Sequence, residues 1–193
     1  EEDTALYHRL AKGELKIDIQ REASFYEYAW DFLPSSGYEQ YEVSNFALDG
    51  HACVHNQNTW KMNEWIGFGP SASSQYQFKR WKNPSDLDRW AIGVRDGFKT
   101  QDYEDYVELS NVILAEDAIL FGLRMNQGIR LAQIGKRFGL SEDFLVEIHC
   151  FFDNLQKEGL AVQMDGWIYL TSQGRIRADA IATEFPSESK GLS

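Results

Sequence analysis

The chain has 193 residues and 22.2 kDa, enough for one large or two small domains. Its 43% hydrophobic and 25% charged content is ordinary for a globular protein, while a net charge of −11 and a pI near 4.8 argue against a broad polyanion-binding surface. No apolar run approaches the roughly 18 residues that a membrane span needs. Two widely separated cysteines, Cys53 and Cys150, fit a reducing, cytoplasmic setting better than a disulfide framework.

Residues 3–33 read as helix. Thr4 can cap it, Leu6, Leu10, Ile17, Phe25, Ala29 and Trp30 recur at roughly helical spacing, and Gly13 interrupts it. Pro34 to Gly37 reads as a loop. Tyr38 to Phe46 alternates Tyr, Tyr and Val against Glu, Gln and Glu, which predicts a strand. Residues 48–63 read as irregular or as one short turn of helix. Trp65 to Phe78 reads as a strand with a glycine-rich bend at its start. Ser85 opens a helix to about Arg95, and the polar, acidic residues 97–108 read as a linker.

From Leu109 the texture changes. Ala115–Met125 and Leu131–Phe138 read as helices, the second stopped by Gly139. Ser141 caps a longer helix to Lys157, and Glu158-Gly159 ends it. Ala161–Met164 and Trp167–Leu170 flank Asp165-Gly166, a strong two-residue hairpin signal. Thr171 starts a last helix to about Glu184, and the tail, 187–193, reads as disordered. Three helices, a hairpin and a helix make a winged-helix pattern. A DNA-binding use is disfavoured, because the Ser141–Lys157 helix carries Glu142, Asp143, Glu147 and Asp153 against Lys157 alone.

The chemistry-bearing residues concentrate between Tyr41 and Ser74. His51, Cys53 and His55 stand at i, i+2 and i+4, which on a strand would share one face. A structural zinc site wants about four ligands, and no second Cys or His pair follows nearby. Gly67-Phe68-Gly69-Pro70-Ser71-Ala72 matches the dinucleotide fingerprint in letters only. That fingerprint needs a helix beginning at the glycines, and Pro70 with the strand-like Gln75 to Phe78 does not supply one. Four of the six Trp lie between Trp60 and Trp90, where each is either core or the wall of a flat aromatic pocket.

Three segments carry a resemblance to a known family: YEVSNFA at Tyr41–Ala47, CVHNQNTW at Cys53–Trp60 and IGFGPSAS at Ile66–Ser73. They resemble the segment C-terminal to the radical SAM barrel in the oxygen-independent coproporphyrinogen III oxidase-like proteins, the HemN/HemW family. Its haem-chaperone branch carries a His-Asn-x-x-Tyr-Trp motif. Here the motif reads His55-Asn56-Gln57-Asn58-Thr59-Trp60, with Thr59 in place of Tyr. The cluster-binding C-x-x-x-C-x-x-C is absent, and the chain opens on Glu1. The resemblance therefore implies the C-terminal part of a longer protein, inactive alone.

That resemblance implies an α+β fold. Residues 1–98 would form the end of a partial β/α barrel with its flanking strands and helices. Residues 99–108 would be the linker, and 109–186 a winged-helix-like domain. It implies a four-iron four-sulfur cluster and S-adenosylmethionine in the parent, and haem or porphyrin as ligand. The oxidase branch decarboxylates porphyrinogen propionates; the chaperone branch, favoured by the C-V-H-N run, delivers haem to an acceptor protein. Cys53, His55, Asn56 and Trp60 become the haem-contacting candidates, since imidazole is a common axial ligand. Gly67, Gly69, Ser71, Ala72 and Ser73 become the S-adenosylmethionine contacts, small residues that let a ligand reach the backbone. Without the missing barrel, the first half should expose apolar residues and self-associate. The rival reading is a winged-helix interaction module without catalysis.

Overall fold

The computed structural model describes residues 4–187. The first helical stretch is two helices rather than one. Helix α1 (Ala5–Ala11) starts where Thr4 Oγ1 accepts the Tyr7 N–H at 3.2 Å. Helix α2 (Ile19–Ser35) starts where Asp18 accepts the Arg21 N–H at 3.1 Å. The break contains Gly13 at φ 71°, a left-handed conformation that glycine adopts without strain. Residue 3, expected in this helix, lies outside the described residues. Pro34, expected in a loop, sits in the last turn of α2.

The strand expected over Tyr38–Phe46 is instead a small hairpin. Strands β1 (Glu39–Gln40) and β2 (Phe46–Ala47) pair antiparallel. Between them, Glu42 and Val43 turn inward, and the Val43 N–H donates to the Arg124 carbonyl at 3.0 Å. The alternation of Tyr and Glu is thus a hairpin rim, with Glu42 on the buried side.

Helix α3 (Val54–Trp60) follows, then β3 (Ser73–Tyr76) and β4 (Lys79–Lys82). The continuous strand expected over Trp65–Phe78 folds back on itself, so that Trp65 and Gln75 exchange backbone hydrogen bonds at 2.9 Å. Gln77 and Phe78 turn the β3–β4 hairpin at φ 49° and 59°, the double left-handed geometry of a tight two-residue turn. Helix α4 (Leu87–Asp96) is capped by Asp86, one residue beyond the expected Ser85.

The linker expected at 99–108 is corrected. Thr100–Asp102 form a 3-10 turn, and β5 (Glu104–Glu108) completes an antiparallel sheet of order β3-β4-β5. Polarity misled here because β5 is an edge strand whose residues are mostly half-buried or exposed.

The second half follows its sequence closely except in its first helix, expected over Ala115–Met125, which Ser110 caps so that it starts at Asn111, and which ends at Gly122. Helices α5 (Asn111–Gly122), α6 (Leu131–Phe138) and α7 (Glu142–Lys157) precede the hairpin of β6 (Ala161–Met164) and β7 (Trp167–Leu170). The last helix is broken at Arg177 into α8 (Ser172–Ile176) and α9 (Ala178–Glu184). The tail expected to be disordered, 187–193, lies outside the described residues except Ser187, whose hydroxyl donates to Glu116 at 2.7 Å.

The core sits in this half. Ile119, Ile148 and Phe152 are wholly buried among Leu131, Phe144, Ile168 and Ile181. Helix α5 buries apolar residues on more than one face because it also meets a second cluster, where Met62 and Leu109 meet Leu114, Ala118 and Phe138. That cluster ties the α3 end to the helical half. By contrast, none of the described side chains of α1 and α2 is buried, and Phe25, Tyr28 and Phe32 are at least half exposed. Mixed helices and short antiparallel strands make this an α+β chain.

Candidate functional site

Helix α3 presents the motif residues. His51, Cys53 and His55 do not share a strand face: Cys53 is the residue before the helix, His55 lies in its first turn, and all three are exposed. Among the described residues no group of three or more His, Cys, Asp or Glu is placed to hold a metal ion. With 3.6 residues per turn, His55 and Trp60 point roughly 140° apart, whereas Asn56 and Trp60, one turn apart, share a side. Asn56 and Trp60 therefore lie on one side of α3, while His55 and Cys53 are exposed.

Trp60 is held by two neighbours. Its ring lies 5.4 Å from Phe121 of α5, and the Arg124 guanidinium sits over it at 5.4 Å. Its Nε1 is buried without an acceptor. Thr59, where the family motif has Tyr, donates to the Asn56 carbonyl at 2.9 Å, so its hydroxyl is spent on the helix backbone. Arg137 of α6 clamps the helix end by donating to the Lys61 and Met62 carbonyls at 3.0 and 2.7 Å.

The glycine-rich loop is a closed turn. Asn83 Nδ2 donates to the Gly69 carbonyl at 2.9 Å and more weakly to Gly67, while the Gly67 N–H donates to Ser74 Oγ at 3.0 Å. A Cβ at Gly67 would lie 2.3 Å from the Ser73 carbonyl oxygen, so glycine is required by packing there. Gly69 needs its freedom for another reason, at φ 101° with open space around it. Ser71, Ala72 and Ser73 line the outer side, with Ser71 and Ser73 exposed and Ala72 half-buried.

Sequence reasoning missed a polar cluster behind these elements. Glu42, within YEVSNFA, has no exposed surface. Its Oε1 accepts from the Ser44 N–H at 2.8 Å and from the Asn45 amide, and its Oε2 faces Arg124 Nε at 3.7 Å. Arg175 of α8 donates to Asn126 at 2.9 Å and Gln40 at 3.1 Å and stacks 5.0 Å over Trp30. Burial pushes this guanidinium below its ordinary pKa. Arg124, Arg175 and Trp30 line a cleft of about 350 Å³ between α2 and α8–α9. A strand reading of Tyr38–Phe46 hides this cluster; Glu within an otherwise apolar-facing hairpin was the available signal.

Fold and motif together define a chain built like part of a radical SAM protein. No family model matches it. It is 28% identical over 190 residues to "Heme chaperone HemW" of Bacillus subtilis, covering 97% of this chain and 49% of that protein. It is 30% identical over 182 residues to the same-named protein of Mycobacterium tuberculosis, covering 94% and 44%. The mitochondrial "Radical S-adenosyl methionine domain-containing protein 1" of Dictyostelium discoideum is 28% identical over 210 residues, covering 94% and 46%. In structure the chain resembles Escherichia coli coproporphyrinogen III oxidase (HemN), a radical SAM enzyme, with a TM-score of 0.62 and 19% identity over 81% of this chain and 39% of that one. The chain belongs to the HemN/HemW family. It spans about half the length of the curated relatives it matches.

Proposed function

We propose that this chain is the haem-handling C-terminal part of a radical SAM protein of the chaperone branch, with α3 as the haem-contacting element. The observation that carries the reading is the exposed imidazole of His55, on a helix pinned by Arg137 and Trp60 and within the segment that resembles the family's His-Asn-x-x-Tyr-Trp motif. In this reading His55 would ligate the haem iron with Cys53 and Asn56 nearby, and Trp60 sets the helix against the core. Haem, when bound, would supply the iron that the imidazole ligates. A haem-acceptor protein would be the partner.

The cluster does not fit this chain. Cys53 and Cys150 are free and exposed, 97 positions apart (150 − 53), with no third thiol. S-adenosylmethionine binding therefore falls chiefly to the parent's other half, and the outer backbone of Gly67–Ser73 would contribute contacts to it. The division into residues 1–98, which finish and flank the barrel, the connecting stretch 99–108, which holds β5, and 109–186, a winged-helix-like unit, is part of the same proposal. The helix-helix-helix-hairpin-helix order from α5 to α8 supports it. Two free thiols agree with a reducing, cytoplasmic setting. Among the described residues, no helix is long and apolar enough to cross a membrane.

The test is haemin titration of the purified chain, followed at the Soret band. His55→Ala should shift or abolish the change, and His8→Ala and His149→Ala should not. Equal binding by all three variants would make His55 a structural residue and remove the reading.

A further inference from the structure

A second cleft, of about 300 Å³, lies between the end of α3 and the β7 side of α6. Its walls include Trp60 and Trp167, and its cations are Lys61, Arg130 and Arg137. None of its lining residues is acidic, although Asp and Glu outnumber Lys and Arg by 30 to 19 in the chain. A cationic, carboxylate-free cleft in so acidic a molecule is the reverse of its average surface. Among the described residues, none of the three cations has a carboxylate within ion-pairing distance.

The cleft is built rather than incidental. The Ile129 and Ile168 backbones exchange hydrogen bonds at 2.8 and 2.9 Å, which fixes Arg130 beside Trp167. The Arg130 guanidinium lies 5.2 Å from the Trp167 ring centre and makes one long bond, 3.4 Å, to the Asp165 carbonyl. Arg137 spends its two terminal nitrogens on the Lys61 and Met62 carbonyls, which secures the opposite wall. That leaves Lys61 and Arg130 with donors to offer. Trp60 Nε1 is buried with no acceptor.

We propose that this cleft receives the carboxylate-bearing edge of a planar aromatic ligand, with Lys61 and Arg130 on the carboxylates and the indoles of Trp60 and Trp167 against the ring. Its volume is at the small end of ligand sites, so it takes one edge and leaves the rest of a macrocycle outside. The proposal rests on the tetrapyrrole reading of α3 and names which side chains grip the propionates.

The experiment separates carboxylate from iron. Metal-free protoporphyrin IX and its dimethyl ester, in the same mild detergent, are titrated against the whole chain by tryptophan quenching. The free diacid should bind, and the diester at least about tenfold more weakly, since charge-assisted hydrogen bonds are lost. The double variant Lys61→Gln/Arg130→Gln should lower diacid affinity about tenfold or more and leave the diester unchanged. Added salt should weaken the parent more than that variant. Lys61→Arg should retain the affinity, and circular dichroism should show each variant folded. Equal binding of diacid and diester, no effect of the double variant, or no binding of either porphyrin overturns the proposal.

The two readings fail differently. If His55→Ala leaves the haemin Soret change intact while diacid binding still needs Lys61 and Arg130, the ligation reading falls and the cleft stands. If His55→Ala abolishes the Soret change and the double variant binds like the parent, the cleft falls alone.

Discussion

Replacing Glu42 with Ala removes a carboxylate that has no exposed surface and leaves three partners behind. The Ser44 N–H and the Asn45 amide lose their acceptor, and Arg124, 26% exposed, loses its counter-charge at 3.7 Å. Breaking a buried pair from one side costs about 3–5 kcal/mol. Arg124 keeps some water and a second, exposed partner in Asp179, which places the expected cost near the lower end, about 3 kcal/mol. For a chain of this size each kcal/mol moves the melting temperature by about 2–4 °C, so the transition should fall by roughly 6–12 °C. The assay is thermal unfolding by circular dichroism, repeated for Arg124→Met and for the double variant. Since one residue's loss strands the other, the double variant should lose less than the sum of the two singles. A drop under about 2 °C for Glu42→Ala, or strict additivity in the cycle, would refute the claim that this pair anchors the β1–β2 hairpin to the turn after α5.

Gly174→Ala should destabilise although alanine favours helices, because its Cβ would lie 2.0 Å from the Leu160 carbonyl oxygen, a backbone atom that already accepts from Thr171; Gly122→Ala, whose clash is with the movable Ile129 Cγ2, should cost less in the same urea titration. The Ser85 backbone N–H first, and then its hydroxyl, hold Glu104 below the usual carboxylate range. A depressed folded pKa contributes stability above the unfolded value that is lost as pH falls through the folded one, so Glu104→Gln should flatten the acid limb of a melting curve taken from about pH 7 to about pH 3. Anaerobic reconstitution of the chain with iron and sulfide should yield no four-iron cluster and no 5′-deoxyadenosine; stoichiometric cluster would show that Cys53 and Cys150 suffice. Phe68, 90% exposed, with Ile66, Phe78 and the aromatic face of α2 should drive concentration-dependent association, and sedimentation of Phe68→Ser should shift towards monomer relative to the parent.

Local signals determined α6, α7 and the β6–β7 hairpin almost unaided, but not the bounds of α5 or the break between α8 and α9. Ser141 as a cap, Gly139 in the left-handed region and Asp165-Gly166 between two short apolar runs each act within a few residues, so α6, α7 and the β6–β7 hairpin lie where the sequence puts them. The motif residues Cys53, His55, Asn56 and Trp60 were legible by resemblance, because residue identity survives where geometry is unread. What only tertiary structure decided lies in the first half and between the halves. Tyr38–Phe46 and Trp65–Phe78 alternate like strands, yet each turns back, since Glu42 is drawn to Arg124 and Trp65 pairs with Gln75. The polar run at 99–108 contains a strand because β4 offered an unpaired edge, which no property of the run itself announces. The same holds for the cleft. Trp60 and Lys61 meet Arg130 and Trp167 across roughly seventy to one hundred residues of chain, through Arg137 and the shared apolar cluster under α5. Periodicity reports on neighbours within one element; contacts at that separation depend on which faces find each other when the core closes.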